Sequence, residues 1–224
     1  MTPLLRQTLA VARKDFRSEL RTRYALNSLG MFVVITVAVM AFSIGLERLG
    51  SGIAAALIWV SMFFTAVTGL GRSFISEEER GTTLLLRLTL PSTPVYFGKL
   101  LVNVVLSLAS NLLLSILFLV MMGGAEVKAP GAFLVVVALS SIGFACALTI
   151  IAALIARSGS KGALYPVLGF PVILPLVILG VDLLRRSMSG IALVKMTDDI
   201  LLLILYIAAL LLVSYLLFDL VWKE

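Results

Sequence analysis

The chain has 224 residues, 61% of them hydrophobic and 13% charged, and a net charge of +6. Soluble domains are about a quarter charged, so a water-soluble fold is excluded and the composition reads as an all-α integral membrane protein. With no histidine and a single cysteine, Cys146, the chain cannot build an internal disulfide, a zinc site or a His-based catalytic centre, and its basic residues lack the interleaved aromatics that bind nucleic acid.

Residues 1–23 form the first unit. Leu5, Leu9, Ala12, Phe16 and Leu20 recur at helical spacing, while Arg6, Arg13, Lys14, Arg17 and Arg21 crowd the other faces. This pattern predicts an amphipathic elbow helix in the membrane interface, apolar side in lipid and basic side toward headgroups. The apolar run after Arg23 exceeds the ~7–15 residues of a signal-peptide core and is expected to be a retained span.

Residues 24–224 form the second unit. About 20 apolar residues cross a bilayer core, and six windows qualify, at about 25–46, 51–71, 100–122, 131–156, 163–181 and 200–218, none holding Asp, Glu, Lys or Arg. Six spans put both termini on one side. Thirteen of the 18 Lys and Arg residues fall in the N-terminal segment, the 72–99 and 157–162 loops and the tail. The positive-inside rule makes those segments cytoplasmic. The 182–199 segment is then the one substantial loop on the other face, expected to hold a short surface helix.

The stretch SFISEEERGTTLLLRLTLPST, residues 73–93, is the most elaborate loop. Glu77, Glu78 and Glu79 end the second span in water, and Gly81 permits a break. Thr82 or Thr83 caps a short helix whose apolar side is Leu84, Leu85 and Leu88, with Arg87 on its polar side and Pro91 and Pro94 ending it. An amphipathic helix held parallel to the membrane offers a docking surface: its leucines fill a groove and its charges fix register.

In the third span Asn103, Ser107, Asn111 and Ser115 are four residues apart and share one face. They either hydrogen-bond to neighbouring helices or line a substrate path. No span carries a carboxylate or a basic residue, which removes the usual mark of a proton-coupled transporter. The stretch Ser158-Gly159-Ser160-Lys161-Gly162 lacks phosphate-loop spacing, so the chain is expected to be no enzyme and to borrow any ATP hydrolysis from another protein. In the fifth span Pro166, Pro171 and Pro175 weaken the backbone ladder, as a hinge or gate would require.

Taken together, these residues resemble an ABC-2-type permease: a basic elbow, six spans, then Glu79-Arg80-Gly81-Thr82, Leu86, Leu88 and Pro91, followed by Gly98-Lys99 and Asn103. Ile58-Trp59-Val60 and the run from Pro166 to Pro175 make the chain most similar to the haem exporter protein B family of the cytochrome c maturation system, over essentially its whole length. The resemblance implies a permease in the cell inner membrane, with a cytoplasmic coupling helix between spans two and three. It implies an A-type ABC ATPase subunit, a C-type haem-handling membrane protein and a second permease copy or related subunit as partners. No cofactor is bound directly; ATP is used through the partner, and haem is the implied substrate, either exported or released from a haem-loaded chaperone. A general ABC-2 exporter of lipid, glycan or drug is the alternative within the class, and a membrane scaffold the alternative outside it.

Overall fold

The computed structural model describes residues 3–22, 24–45, 49–70, 74, 77, 81–123, 125–158 and 164–223. Among them every regular element is helical: α1 (Pro3–Thr22), α2 (Tyr24–Ile44), α3 (Ser51–Leu70), α4 (Thr83–Thr89), α5 (Ser92–Met121), α6 (Pro130–Ser158), α7 (Leu164–Met188), a 3-10 turn (Leu193–Met196) and α8 (Thr197–Lys223). Five of them contain segments long and apolar enough to cross a membrane: Asn27–Ile44, Ser51–Leu70, Ser92–Met121, Pro130–Ala156 and Leu193–Leu220.

α6 is the central post. It packs against α3, α5, α7 and α8, and its residues from Phe144 to Leu148 are fully buried. Small side chains on this stretch, Ala145, Cys146 and Ala147, let neighbouring backbones approach, as helix association in lipid requires. Trp59 of α3 packs on Phe144 with ring centroids 4.9 Å apart. α2 and α8 stand at the periphery, and Phe42 and Leu220 are exposed, as lipid-facing side chains must be.

Two boundaries differ from the sequence expectation. Pro91 and Pro94 do not close one element together. Pro91, in extended conformation, caps α5, and Pro94 lies in its first turn, where no intrahelical N–H is needed. α5 therefore begins at Ser92, eight residues before the expected span, and Lys99 belongs to this helix rather than to a loop. At the far end, α7 runs to Met188. Asp182 pairs with Arg185 and Arg186 one turn away, and these i,i+3 and i,i+4 pairs sustain a helical turn in place of a loop. The surface helix expected within 182–199 reduces to the 3-10 turn.

Pro171 and Pro175 lie inside α7; Pro166 lies in the same helix. The Tyr206 hydroxyl of α8 donates to the Val172 carbonyl at 2.6 Å. A neighbouring helix thus serves the backbone where prolines weaken its ladder.

Candidate functional site

At the end of the bundle where α1, α4 and the C-terminus of α8 meet, four charged side chains converge. Lys99, on the second turn of α5, is 1% exposed. Its Nζ lies 2.9 Å from Glu77 Oε2 and 3.2 Å from Asp15 Oδ2. Lys14 Nζ approaches the other oxygens, at 2.6 Å from Glu77 Oε1 and 3.1 Å from Asp15 Oδ1. Two lysines and two carboxylates therefore form a closed ring that ties Glu77 to α1 and α5. The Lys99 ammonium also sits 4.8 Å from the centroid of Phe74, a cation–π contact. Burial acts to lower the Lys14 pKa, but the hydrogen bond to Glu77 and the charges of Asp15 and Glu77 outweigh it and hold it above the usual 10.5.

The ring exists because α1 lies close against α5. Gly98 makes this possible: a Cβ there would meet Val11 Cβ and Cγ1 at 2.8 Å and the Thr8 carbonyl oxygen at 3.0 Å. Because Thr8 contributes backbone, side-chain rotation cannot relieve the clash. Gly98→Val is expected to lift α1 from the bundle at a cost of about 1–3 kcal/mol. With Cys146 replaced by Ala, an Ala12→Cys probe, buried in the parent, should then react with a thiol reagent; an unreactive probe would show that α1 stays seated.

α8 braces the same region. Ser92 Oγ donates to Asp219 Oδ1 at 2.6 Å, and the Thr93 and Tyr215 hydroxyls are 3.1 Å apart. Trp222 Nε1 donates to the Leu90 carbonyl at 3.4 Å, while the Arg87 guanidinium lies 5.5 Å from the Trp222 ring centroid. Phe218 stacks with Trp222 and packs on Phe74 and Tyr96. Glu77, ahead of α4, is thus held by charge, and Arg87 and Leu90, in and just after it, by the Trp222 ring.

α4 itself presents a split surface. Gly81 adopts φ 66°, a conformation that glycine reaches without strain, and so turns the chain into the helix. Thr82 occupies the cap position without a side-chain cap bond; its hydroxyl donates instead to the Glu77 carbonyl at 3.3 Å. Leu86 faces inward, whereas Leu85 and Leu88 are 64% and 78% exposed. Leu84 lies in α4, and its side chain, like Glu78, Glu79 and Arg80, falls outside the described residues. Glu77 is buried and engaged by the chain's own lysines, so its charge is directed inward.

The polar face of α5 meets α6. Asn103 Nδ2 donates to Thr149 Oγ1 at 2.8 Å, and Asn111 Nδ2 donates to Ser141 Oγ at 3.0 Å and to Ser107 Oγ at 3.3 Å. Ser115 Oγ returns to the Asn111 carbonyl at 2.8 Å. All four residues are buried, and the face forms a hydrogen-bonded seam between two helices.

Sequence reasoning did not single out Asp15, Lys14, Gly98 or Trp222 as parts of one assembly. The available signals are Asp15, an isolated acid among the basic residues at 13–17, and Gly98-Lys99, which falls in the permease-like motif. A family model described as CcmB protein matches residues 6–219. No curated protein matches the chain.

Proposed function

Because the chain belongs to the CcmB family, the haem exporter B family of ABC-2-type permeases, we propose that it is the permease subunit that converts ATP hydrolysis by a partner into movement of its helix bundle during cytochrome c maturation. The family works in haem export within an ABC transporter that has an ATPase partner. The observation that carries the finer reading is α4. It is a seven-residue helix with two large leucines exposed at the tip of a segment fastened by ions to α1 and α5 and by rings to α8. In this reading α4 is a cytoplasmic coupling helix, and Leu85 and Leu88 enter a groove of an A-type ATPase subunit. Glu78, Glu79 and Arg80 supply charges around the contact. Glu77 acts instead inside the chain, passing displacement of α4 to Lys99 and so to α5.

The membrane arrangement follows. α7 joins the five apolar helices as a sixth span, since residues 164–181 carry no charge and the charges at Asp182, Arg185 and Arg186 pair at its end. Both termini and α4 then face the cytoplasm of the inner membrane. In this reading α7 bends at its prolines, near the Val172 carbonyl that accepts from Tyr206. Haem is the cargo, handed on with a C-type membrane protein, and a second permease copy completes the transporter. The family match favours this cargo over lipid, glycan or drug.

Purification in mild detergent tests the assignment. The chain is expected to retain an ATPase bearing a phosphate-loop lysine, and turnover of that ATPase should rise several-fold when the chain is present. A complex without such an ATPase, or turnover indifferent to the chain, would contradict it.

A further inference from the structure

We infer that α1 carries a binding surface for anionic phospholipid, with Arg6, Arg13, Arg17 and Arg21 holding headgroups, while a separate apolar groove on the flank of α1 that faces α5 holds acyl chain. The inference rests on the permease reading in one respect only: ATP turnover is its readout. Three faces of α1 differ in exposure. Val11 and Ala12 are buried and Thr8 and Asp15 half-buried against the bundle, whereas Leu5, Leu9, Phe16 and Leu20 are exposed. The four arginines are also exposed, and none of them pairs with an acid among the described residues.

The order of these faces decides what the arginines meet. At about 3.6 residues per turn, the arginine stripe lies about half a turn from the Val11–Asp15 face and directly beside Leu9 and Leu20. With the leucine face in the bilayer, the arginines point sideways into the headgroup layer, away from the bundle. A guanidinium presents a planar fork of donors that matches phosphate oxygens, and basic residues beside a membrane attract anionic lipid within a Debye length. Between α1 and α5 runs a groove of about 470 Å³ whose walls include Leu4, Leu5, Phe97, Leu100, Leu101 and Val104. Such a lining suits hydrocarbon. A soluble partner docking on α4 would leave both features unused.

Lipid charge also has a route inward. Lys14 and Asp15 sit on the same helix and close the ring with Glu77 and Lys99. A headgroup layer that fixes α1 therefore fixes the segment carrying α4.

The test reconstitutes the permease–ATPase complex in nanodiscs of phosphatidylcholine alone or mixed with phosphatidylglycerol. Turnover is expected to be at least about fivefold higher in the anionic mixture, with the gain shrinking as salt screens the contact. The quadruple variant Arg6→Gln, Arg13→Gln, Arg17→Gln, Arg21→Gln should lose that gain while still capturing the ATPase in detergent. Equal turnover of the parent complex in the two lipids would overturn the proposal, a comparison that needs no variant to fold. Failure of the variant to capture the ATPase in detergent would overturn it too, by assigning the stripe to the protein partner. Capture that survives while the parent shows no lipid response would sink the lipid site and leave the permease reading standing.

Discussion

Lys99→Met is expected to be the most damaging single substitution in the chain. Lys99 is almost wholly buried and lies within 3.2 Å of both carboxylates. Removing it leaves Asp15 and Glu77 facing each other with Lys14 alone, and Lys14 is about half exposed. Breaking a buried ion pair from one side costs about 3–5 kcal/mol, because the remaining charge stays desolvated. Thermal unfolding followed through Cys146 would measure the loss. This thiol is the only one in the chain and is fully buried, so its labelling reports opening of the bundle. Lys99→Met combined with Glu77→Gln should recover part of the stability, since neutralising both partners removes the stranded charge. A Lys99→Met protein as stable as its parent would show that the ring contributes nothing. The ring also has a definite pH window. The Lys14 pKa is raised on folding, so its contribution is complete below the ordinary 10.5 and is lost only as pH rises through the higher folded value. Stability from this source should be flat across neutral pH and fall in strong alkali.

Leu85→Glu together with Leu88→Glu is expected to separate folding from coupling. Both side chains are mostly exposed, and surface changes of this kind usually shift stability by no more than about 0.5 kcal/mol. If the two leucines anchor the ATPase, burying carboxylates in their groove removes a contact worth about 3 kcal/mol, on the scale of interface hot spots, or roughly two orders of magnitude in affinity. ATPase capture and stimulated turnover should collapse while Cys146 labelling keeps the parental melting profile. Unchanged capture by the double variant would place the docking surface elsewhere.

The course of the chain was legible wherever periodicity or apolar length dominates. The leucine and arginine stripes of α1 follow from their spacing alone. Gly81 announced its turn because few other residues take a positive φ, and the apolar windows located α2, α3, α6 and α8 to within a few residues. Tertiary contacts were not legible. Lys99 counts among the 72–99 charges and falls, with Gly98, in the permease-like motif, but neither reading gives its partners, because Pro91 and Pro94 read as a single stop signal. Only the packed structure shows that Pro94 opens α5 and that Gly98 admits α1 close enough for Asp15 to reach the lysine. Trp222 meets Arg87, far from it in sequence, a pairing that no local pattern encodes. The ladder from Asn103 to Ser115 was visible as a face, but its hydrogen bonds to Ser141 and Thr149 on α6 were not. Asp182, Arg185 and Arg186 read as a loop by composition and form a helical turn by pairing.

The central claim is that α4 meets the ATPase on the cytoplasmic side and transmits its motion. Site-specific cross-linking tests this most directly: Leu88→Cys in a Cys146→Ala background, joined by a short bifunctional thiol reagent to the co-expressed ATPase. The account predicts a cross-linked permease–ATPase species whose yield changes between nucleotide-free and ATP-bound states. A Leu88→Cys protein that forms no such species in an intact complex, or whose introduced thiol reacts only with a membrane-impermeant reagent added outside the cell membrane, would contradict it.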